Sequence, residues 1–268
     1  MTPKHHETCK AVLKKLESAQ KLRHVGMREV FGDFCTISMA AYHNALYSVG
    51  KCPVPNCYRE IHDKLEADFT ETLKKYKDEA TAHTIFAEAL AMLMLAMRED
   101  PFDYLGKIYM DADMGNKSTS QFFTPSHVCE LMAAITIGSK EEFEQKAAER
   151  GYIGVEDPCC GSAAMIIGMA KNLERYGVEN IHDKLFIRLT DIDYTCVKMA
   201  FISMCLMGLP AIVIWGNSLT LQVDGQFHTP NMQLALAMGR FSGISDEPPQ
   251  EQAPPVETPT GTQQLTLF

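Results

Sequence analysis

Between residues 8 and 48 apolar side chains return at one-turn spacing, as at Val12, Leu13 and Leu16, and this spacing predicts helix. Gly50, Pro53 and Pro55 punctuate residues 50–57, which read as a loop. Residues 58–98 predict helix again and end in AEALAMLMLAM, a Met/Leu/Ala run suited to a buried core helix. Asp100-Pro101 ends that pattern, because the residue before a proline is held out of helical geometry. Beyond residue 150 the period changes. GYIGVED, KLFIRLTDID and PAIVIW are short apolar runs rich in β-branched residues. Between them lie CCGSAAMIIGMAKNLERYG and YTCVKMAFISMCLMGL, which read as helices. A β-α-β-α-β order predicts a parallel sheet with right-handed crossovers.

The pattern changes once more at Ser242. Five of the thirteen prolines fall between Pro248 and Pro259, among Glu, Gln and Thr. Such a stretch buries too little apolar area to offset its ordering entropy, and it reads as a disordered linker. The organisation expected is therefore a helical region over 1–104, an α/β domain over 105–241, a Pro/Glu-rich linker over 242–263 and a terminal peptide over 264–268. No internal repeat is visible.

Composition narrows the picture. Hydrophobic residues make up 46% of the chain, which suits a globular fold. No apolar run reaches the roughly 18 residues that span a bilayer. The start, MTPKHHETCK, has no apolar signal core, so a cytoplasmic location without a membrane partner is expected. Nine scattered cysteines do not form a disulfide framework. Cys52 and Cys57 bracket CPVPNC and read either as a metal site or as two reduced thiols beside a stiff turn; no second Cys/His pair stands at zinc-ligand spacing. The net charge is −9, of which the linker carries four acids, so the body does not attract duplex DNA by charge alone. The basic start, with Lys4, Lys10, Lys14, Lys15, Lys21, Arg23 and Arg28, reads first as a solvated helix face.

In an open parallel sheet, ligands bind at the C-terminal strand ends. Three such ends carry candidate residues. The first is Asp157-Pro158-Cys159-Cys160-Gly161-Ser162, where Gly161 lets backbone approach a ligand and the following helix start favours negative charge. The second carries Asp191 and Asp193, and an acid there can accept bonds from both ribose hydroxyls. The third is Gly216-Asn217-Ser218, where an amide can read an adenine edge. Alone these describe a generic nucleotide pocket, or ordinary strand-end turns. No G-x-G-x-x-G argues for NAD, and no P-loop string occurs.

Gln121-Phe122-Phe123-Thr124-Pro125, the Asp157–Ser162 hexapeptide, Thr190-Asp191-Ile192-Asp193 and Gly216-Asn217-Ser218-Leu219 occur in this order over residues 105–220. Together they resemble the N6-adenine-specific DNA methyltransferases, in particular the modification subunits of type I restriction-modification systems. The resemblance implies a Rossmann-like fold with S-adenosylmethionine as cofactor. It places Phe123 and Thr124 along the methionine part, Asp157 and Gly161 around the amino-acid end, Asp191 on the ribose, Ile192 against adenine and Asn217 on the adenine amino group.

The chain also departs from that family. Ala163 and Ala164 stand where glycines are usual, so their methyl groups are expected to crowd the cofactor carboxylate. Asn217 replaces an Asp. The family's Asn-Pro-Pro-Tyr/Phe loop, which holds a flipped adenine and stacks on it, does not occur after Leu219; Thr229-Pro230-Asn231 is the nearest string, and no catalytic residue is assigned. The fold expected is thus a truncated Rossmann-like sheet behind a helical N-terminal region. Its first strand would lie at an edge, covered by the N-terminal helices, by 221–240 or by another chain or copy.

The ending Gln264-Leu265-Thr266-Leu267-Phe268 is similar to the peptide by which bacterial polymerases and repair proteins dock on the replication sliding clamp. Gln264, Leu265, Leu267 and Phe268 would be the partner-binding residues, with Leu267 and Phe268 the apolar anchors, Gln264 the polar one, and the linker a tether. Three functions are compatible with these features: a cofactor-binding protein impaired in catalysis and acting in DNA binding, modification or replication-associated regulation; a DNA adenine methyltransferase subunit completed by a partner chain; or a relic without ligand.

Overall fold

The computed structural model describes residues 1–48, 59–112 and 124–241. Its N-terminal part is helical: α1 (Pro3–Arg23), α2 (Met27–Ser48), α3 (Arg59–Lys74), α4 (Glu79–Glu99) and α5 (Tyr104–Asp111). The expected helix over 8–48 is two helices. His24 adopts a left-handed conformation with φ 59° and its N–H donates to the Gln20 carbonyl, which ends α1. The helix expected over 58–98 also divides, because the Asp78 side chain accepts from the Thr81 amide and starts α4 afresh. In both cases a local cap interrupts an apolar pattern that continues past it.

The remaining elements are α6 (Ser126–Ile137), α7 (Lys140–Arg150), β1 (Ile153–Asp157), α8 (Ala164–Arg175), α9 (Ile181–Lys184), β2 (Leu185–Asp191), α10 (Tyr194–Leu206), β3 (Ala211–Asn217), β4 (Gln222–His228) and α11 (Pro230–Ala237). Strands β1, β2 and β3 are parallel neighbours, as their β-α-β-α-β order requires. Strand β4 adds an antiparallel edge beside β3. A bulge at Trp215/Gly216 interrupts this last pairing. A Cβ on Gly216 would stand 2.2 Å from the Gln222 carbonyl oxygen, so only glycine lets the returning strand come this close.

The 221–240 segment therefore covers the β3 edge, not the β1 edge. Its helix α11 caps one sheet face, where Phe186, Ile212, Ile214, Met232, Ala235 and Phe241 form a small core. Nor do the described N-terminal helices pack along β1; α2, α4 and α5 stack on α10. Among the described residues β1 pairs with β2 alone, with α7 packed beside it.

Helix α10 joins the two parts. Residues Cys196 to Met204 are all buried, because the sheet takes one side of the helix and α2, α4 and α5 take the other. One hydrophobic core consequently extends from α1 to β3. Lys198 lies within it. Its ammonium donates to Thr36 Oγ1 at 3.0 Å and to the Gly32 carbonyl at 3.4 Å, and it sits 5.0 Å from the centre of the Tyr194 ring. Burial lowers its pKa.

Helix α4 is long and apolar enough to cross a membrane by length and composition, which the sequence pattern alone did not suggest. Here it packs along α1, burying Ala82, Ile85, Phe86, Ala89, Leu93 and Met97 at three- and four-residue intervals. The basic face expected on α1 is partly paired with this neighbour: Lys4 bonds Glu99 and Lys15 bonds Glu88.

Candidate functional site

The C-terminal ends of the three parallel strands meet as the β-α-β order dictates. The chain leaves β1 at Asp157, whose Oδ1 accepts from the Cys159 amide at 3.1 Å and turns the loop. The Cys160 amide then donates to the Thr190 carbonyl at 3.0 Å, stitching the loop to β2. Gly161, at φ 54°, donates its amide to Asp191 Oδ2 at 2.9 Å. Asp191 Oδ1 in turn accepts from the Asp193 amide at 2.9 Å. One carboxylate at the end of β2 thus fixes both the β1 loop and its own turn into α10.

Burial raises the pKa of Asp191 against the two backbone bonds that lower it, and burial likewise raises Asp157. Each Asp191 oxygen has a second lone pair and can accept a further hydrogen bond. The adjoining Ile192 side chain is 67% exposed. A free apolar side chain beside a carboxylate acceptor suits a ribose and its planar base, so this pair fits the cofactor that the sequence resemblance implies. The Trp215 indole N–H donates to the Ile192 carbonyl at 3.1 Å and steadies this turn from β3.

Asn217 spends its side-chain oxygen differently. Oδ1 accepts from the Leu219 amide at 2.9 Å and the Thr220 amide at 3.3 Å, forming the turn into β4. In this conformation the oxygen is engaged by the backbone rather than offered to an adenine amino group. A cavity does reach these ends, lined by Pro158, Thr190, Asn217 and Ser218 and continuing along the sheet past Glu156 and Arg188. Asp157, Gly161, Asp191 and Ile192 are not among its walls.

Thr124 is exposed just before α6, and its carbonyl accepts from the Cys129 thiol at 3.6 Å. Helix α6 crosses α8 closely: a Cβ on Gly168 would lie 3.1 Å from the Cys129 backbone. The Asn172 amide nitrogen donates to the Glu130 carbonyl at 2.6 Å. Phe123 lies outside the described residues, as do Gln264, Leu265, Leu267 and Phe268, and Cys52 and Cys57.

Ala163 corrects one expectation. Its methyl group is fully buried in the core, so it does not crowd an open pocket. The residue does occupy the left-handed region, at φ 70°, where glycine would be unstrained. Thr229-Pro230-Asn231 is the start of α11, with Thr229 accepting from the Met232 amide and Asn231 bonded to the Gly208 carbonyl. It is a capped helix end.

A buried pair escaped the sequence reading. Asp103 caps α5, with Oδ1 accepting from the Gly106 amide at 2.9 Å, and Oδ2 accepts from the Ser162 hydroxyl at 2.6 Å. Burial pushes the Asp103 carboxyl up to about 6, although both bonds act to lower it. The Asp-x-x-Gly spacing at a helix start was the available signal, and it spoke only for a cap.

The strained loop position gives a test. Ala163→Gly is expected to remain within about 1 kcal/mol of the parent, because relief of the left-handed backbone is offset by lost methyl burial and greater unfolded-chain freedom. Ala163→Val adds branching to the same backbone and volume to a filled core, and is expected to cost about 2–4 kcal/mol. Urea unfolding of both variants measures this; a Val variant as stable as the parent would contradict the assigned backbone.

Comparison with known proteins assigns the family. A family model described as N-6 DNA methylase matches residues 101–248, more than half of the chain. No curated protein sequence matches. Among solved structures, a protein assigned as a class I S-adenosylmethionine-dependent methyltransferase from Listeria monocytogenes is similar at 14% identity and a TM-score of 0.41, over 80% of this chain and 54% of that one. A type I restriction-modification system methyltransferase subunit from Streptococcus thermophilus is similar at 15% identity and a TM-score of 0.37, over 82% of this chain and 59% of that one. This chain therefore spans little more than half the length of either. The fold is α/β, with a helical N-terminal part and a Rossmann-like sheet, and the chain belongs to the N-6 DNA methylase family, whose methyl donor is S-adenosylmethionine.

Proposed function

We propose that this chain is an S-adenosylmethionine-binding protein, acting in the cytoplasm in DNA modification or its regulation, and impaired in methyl transfer as a 268-residue chain. The observation that carries the reading is the Asp191 carboxylate bridging the Gly161 amide and its own turn, with Ile192 exposed beside it. S-adenosylmethionine, when bound, supplies an electrophilic methyl group. The chain's own residues would bind and orient. Asp191 accepts from the ribose, Ile192 packs on the base, and Asp157 and Gly161 border the amino-acid end. Phe123 and Thr124, ahead of α6, would flank the methionine part.

The impairment rests on sequence. Transfer to an exocyclic amine needs acceptors that hold the amine in line with the donor. The family's Asn-Pro-Pro-aromatic string does not occur in these 268 residues, and its nearest counterpart is the α11 cap. A second reading, a methyltransferase subunit completed by a partner chain or a second copy, is favoured by one observation. Strand β1 has a single neighbour among the described residues, so a strand from elsewhere can extend the sheet. DNA would then be contacted by the completed assembly.

The C-terminal peptide adds a partner. We infer from sequence alone that Gln264, Leu265, Leu267 and Phe268 dock on a bacterial sliding clamp, with 242–263 as tether.

Three outcomes follow. Isothermal titration with S-adenosylmethionine or its demethylated product should show binding, and Asp191→Ala should weaken it by roughly 1.5–3 kcal/mol; a parent protein that bound neither would end the cofactor reading. Radiolabelled methyl transfer to adenine-containing duplex DNA should be absent for the isolated chain, and transfer at a rate matching active enzymes would refute the impairment. The full chain should bind a bacterial clamp with a Kd on the order of micromolar, since a pentapeptide buries little area. Leu267→Ala with Phe268→Ala should abolish that binding without moving the thermal melt; equal binding by the chain and by a version ending at Gln263 would discard it.

A further inference from the structure

The loop after β1 is held from a direction that the sheet does not supply. Its Gly161 amide is fixed by Asp191 on β2, but its Ser162 hydroxyl is fixed by Asp103, 59 residues upstream at the start of α5. Both ends of this second bond are buried, and Ser162 is inaccessible to solvent. The contact needs Gly106: a Cβ there would stand 2.2 Å from Asp103 Oδ2 and 2.4 Å from Ser162 Oγ. Helix α5 is packed on α1 and α10, so the bond ties the loop to the helical part of the molecule.

Asp103 lies near buried thiols on three other helices. The ionisable groups it acts on from neighbouring helices are thiols: Cys9 on α1, Cys129 on α6 and Cys196 on α10. Burial pushes Cys9 up to about 12 and Cys129 up to about 11, and raises Cys196 as well, so all three are neutral near pH 7. Among the described residues the Ser162 hydroxyl and the Gly106 amide hydrogen-bond to Asp103 and act to lower its pKa against burial. An acceptor buried with two donors holds its position as long as both donors hold theirs, and it transmits displacement between them.

We propose that Asp103 is a positioning residue for the cofactor loop, acting through the Ser162 hydroxyl, so that the helical N-terminal part sets the cofactor affinity of the β1 and β2 strand ends. The role rests on the cofactor reading given above. Gly161 precedes Ser162 directly and Ala163, in its left-handed conformation, follows it. Releasing the hydroxyl frees the one side chain between these two constrained residues. The Gly161 amide then loses its fixed distance to Asp191, and the acceptor that would meet a ribose loses its fixed orientation.

The test is a mutant cycle read by ligand affinity. Isothermal titration of the full-length chain with S-adenosylmethionine is run for Ser162→Ala, Asp103→Ala, the double variant and Asp103→Asn, with a thermal melt of each. Ser162→Ala and Asp103→Ala are each expected to raise Kd about tenfold, and the double variant to lose no more than either single one, because both remove the same bond. Asp103→Asn still offers an acceptor to Gly106 and a partner to Ser162, and should stay within about threefold of the parent. Unchanged Kd in folded Ser162→Ala, or losses that add in the double variant, would overturn the role and leave the pair as a packing contact. If Asp103→Ala does not fold, Ser162→Ala against Asp103→Asn decides. Hydrogen exchange of the ligand-free chain keeps the two readings apart: Ser162→Ala should speed exchange at residues 160–163. No ligand binding by the parent defeats the cofactor reading and the affinity role with it. Unchanged exchange overturns Asp103's hold on the loop, whether or not the parent binds.

Discussion

Everything in this fold depends on α10 being buried from both sides. A surface helix needs one apolar stripe; a helix between a sheet and a helical layer must be apolar all round. Residues Cys196 to Met204 meet that demand, and Lys198 meets it only because Thr36 and the Gly32 carbonyl on α2 take its ammonium. Removing a buried cation's partners costs far more than a surface ion pair gains. The helical part and the sheet therefore share one core and cannot slide independently. Asp191 and Asp193, immediately ahead of α10, inherit that rigidity, which places the β2 end at a fixed height over the sheet.

The β1 loop gains its shape from the same arrangement. Thr190 holds Cys160, Asp191 holds Gly161, Asp103 holds Ser162 and the Cys160 carbonyl accepts from Ala163. Four consecutive residues are each fixed by a hydrogen bond, and three of those bonds reach other elements. This over-determination is what sustains an alanine at φ 70°.

Much of this was legible in the sequence. The two apolar runs ending in acids became β1 and β2, PAIVIW became β3, and the small-residue turn before MIIGMAKNLER became the start of α8. Strand β4 was not legible, because Gln222, Asp224 and Gln226 alternate with modest neighbours and its first three residues stay exposed. What makes it a strand is the glycine at 216 that admits it beside β3. The breaks after α1 and before α4 were hidden because caps at His24 and Asp78 act locally inside a continuing apolar period. Among site residues, Asp157, Gly161 and Asp191 were named from their strand-end positions, and the structure brings them together. Asp103 was invisible, because a contact across 59 residues leaves no periodic trace.

Among the described residues β1 pairs with β2 alone, and the chemistry around it constrains what can extend the sheet there. Parallel strands are usually apolar on both faces because helices cover both. On the face that α11 covers, Phe186, Ile212 and Ile214 obey this rule. Toward β1 the same face changes character: Gly154 and Glu156 are exposed, and Glu156 stands in register with Arg188 on β2. The cavity there is bounded by Tyr152, Gly154, Glu156, Phe186 and Arg188. A helix with an ordinary apolar stripe would desolvate a carboxylate and a guanidinium on docking, and each would need its hydrogen bonds replaced. An element that fits must leave the exposed Glu156 solvated or bring it a polar partner while pairing its backbone with Ile153 to Asp157. That requirement separates a partner evolved for this edge from a chance hydrophobic contact, and it lies next to the loop on which the cofactor reading rests.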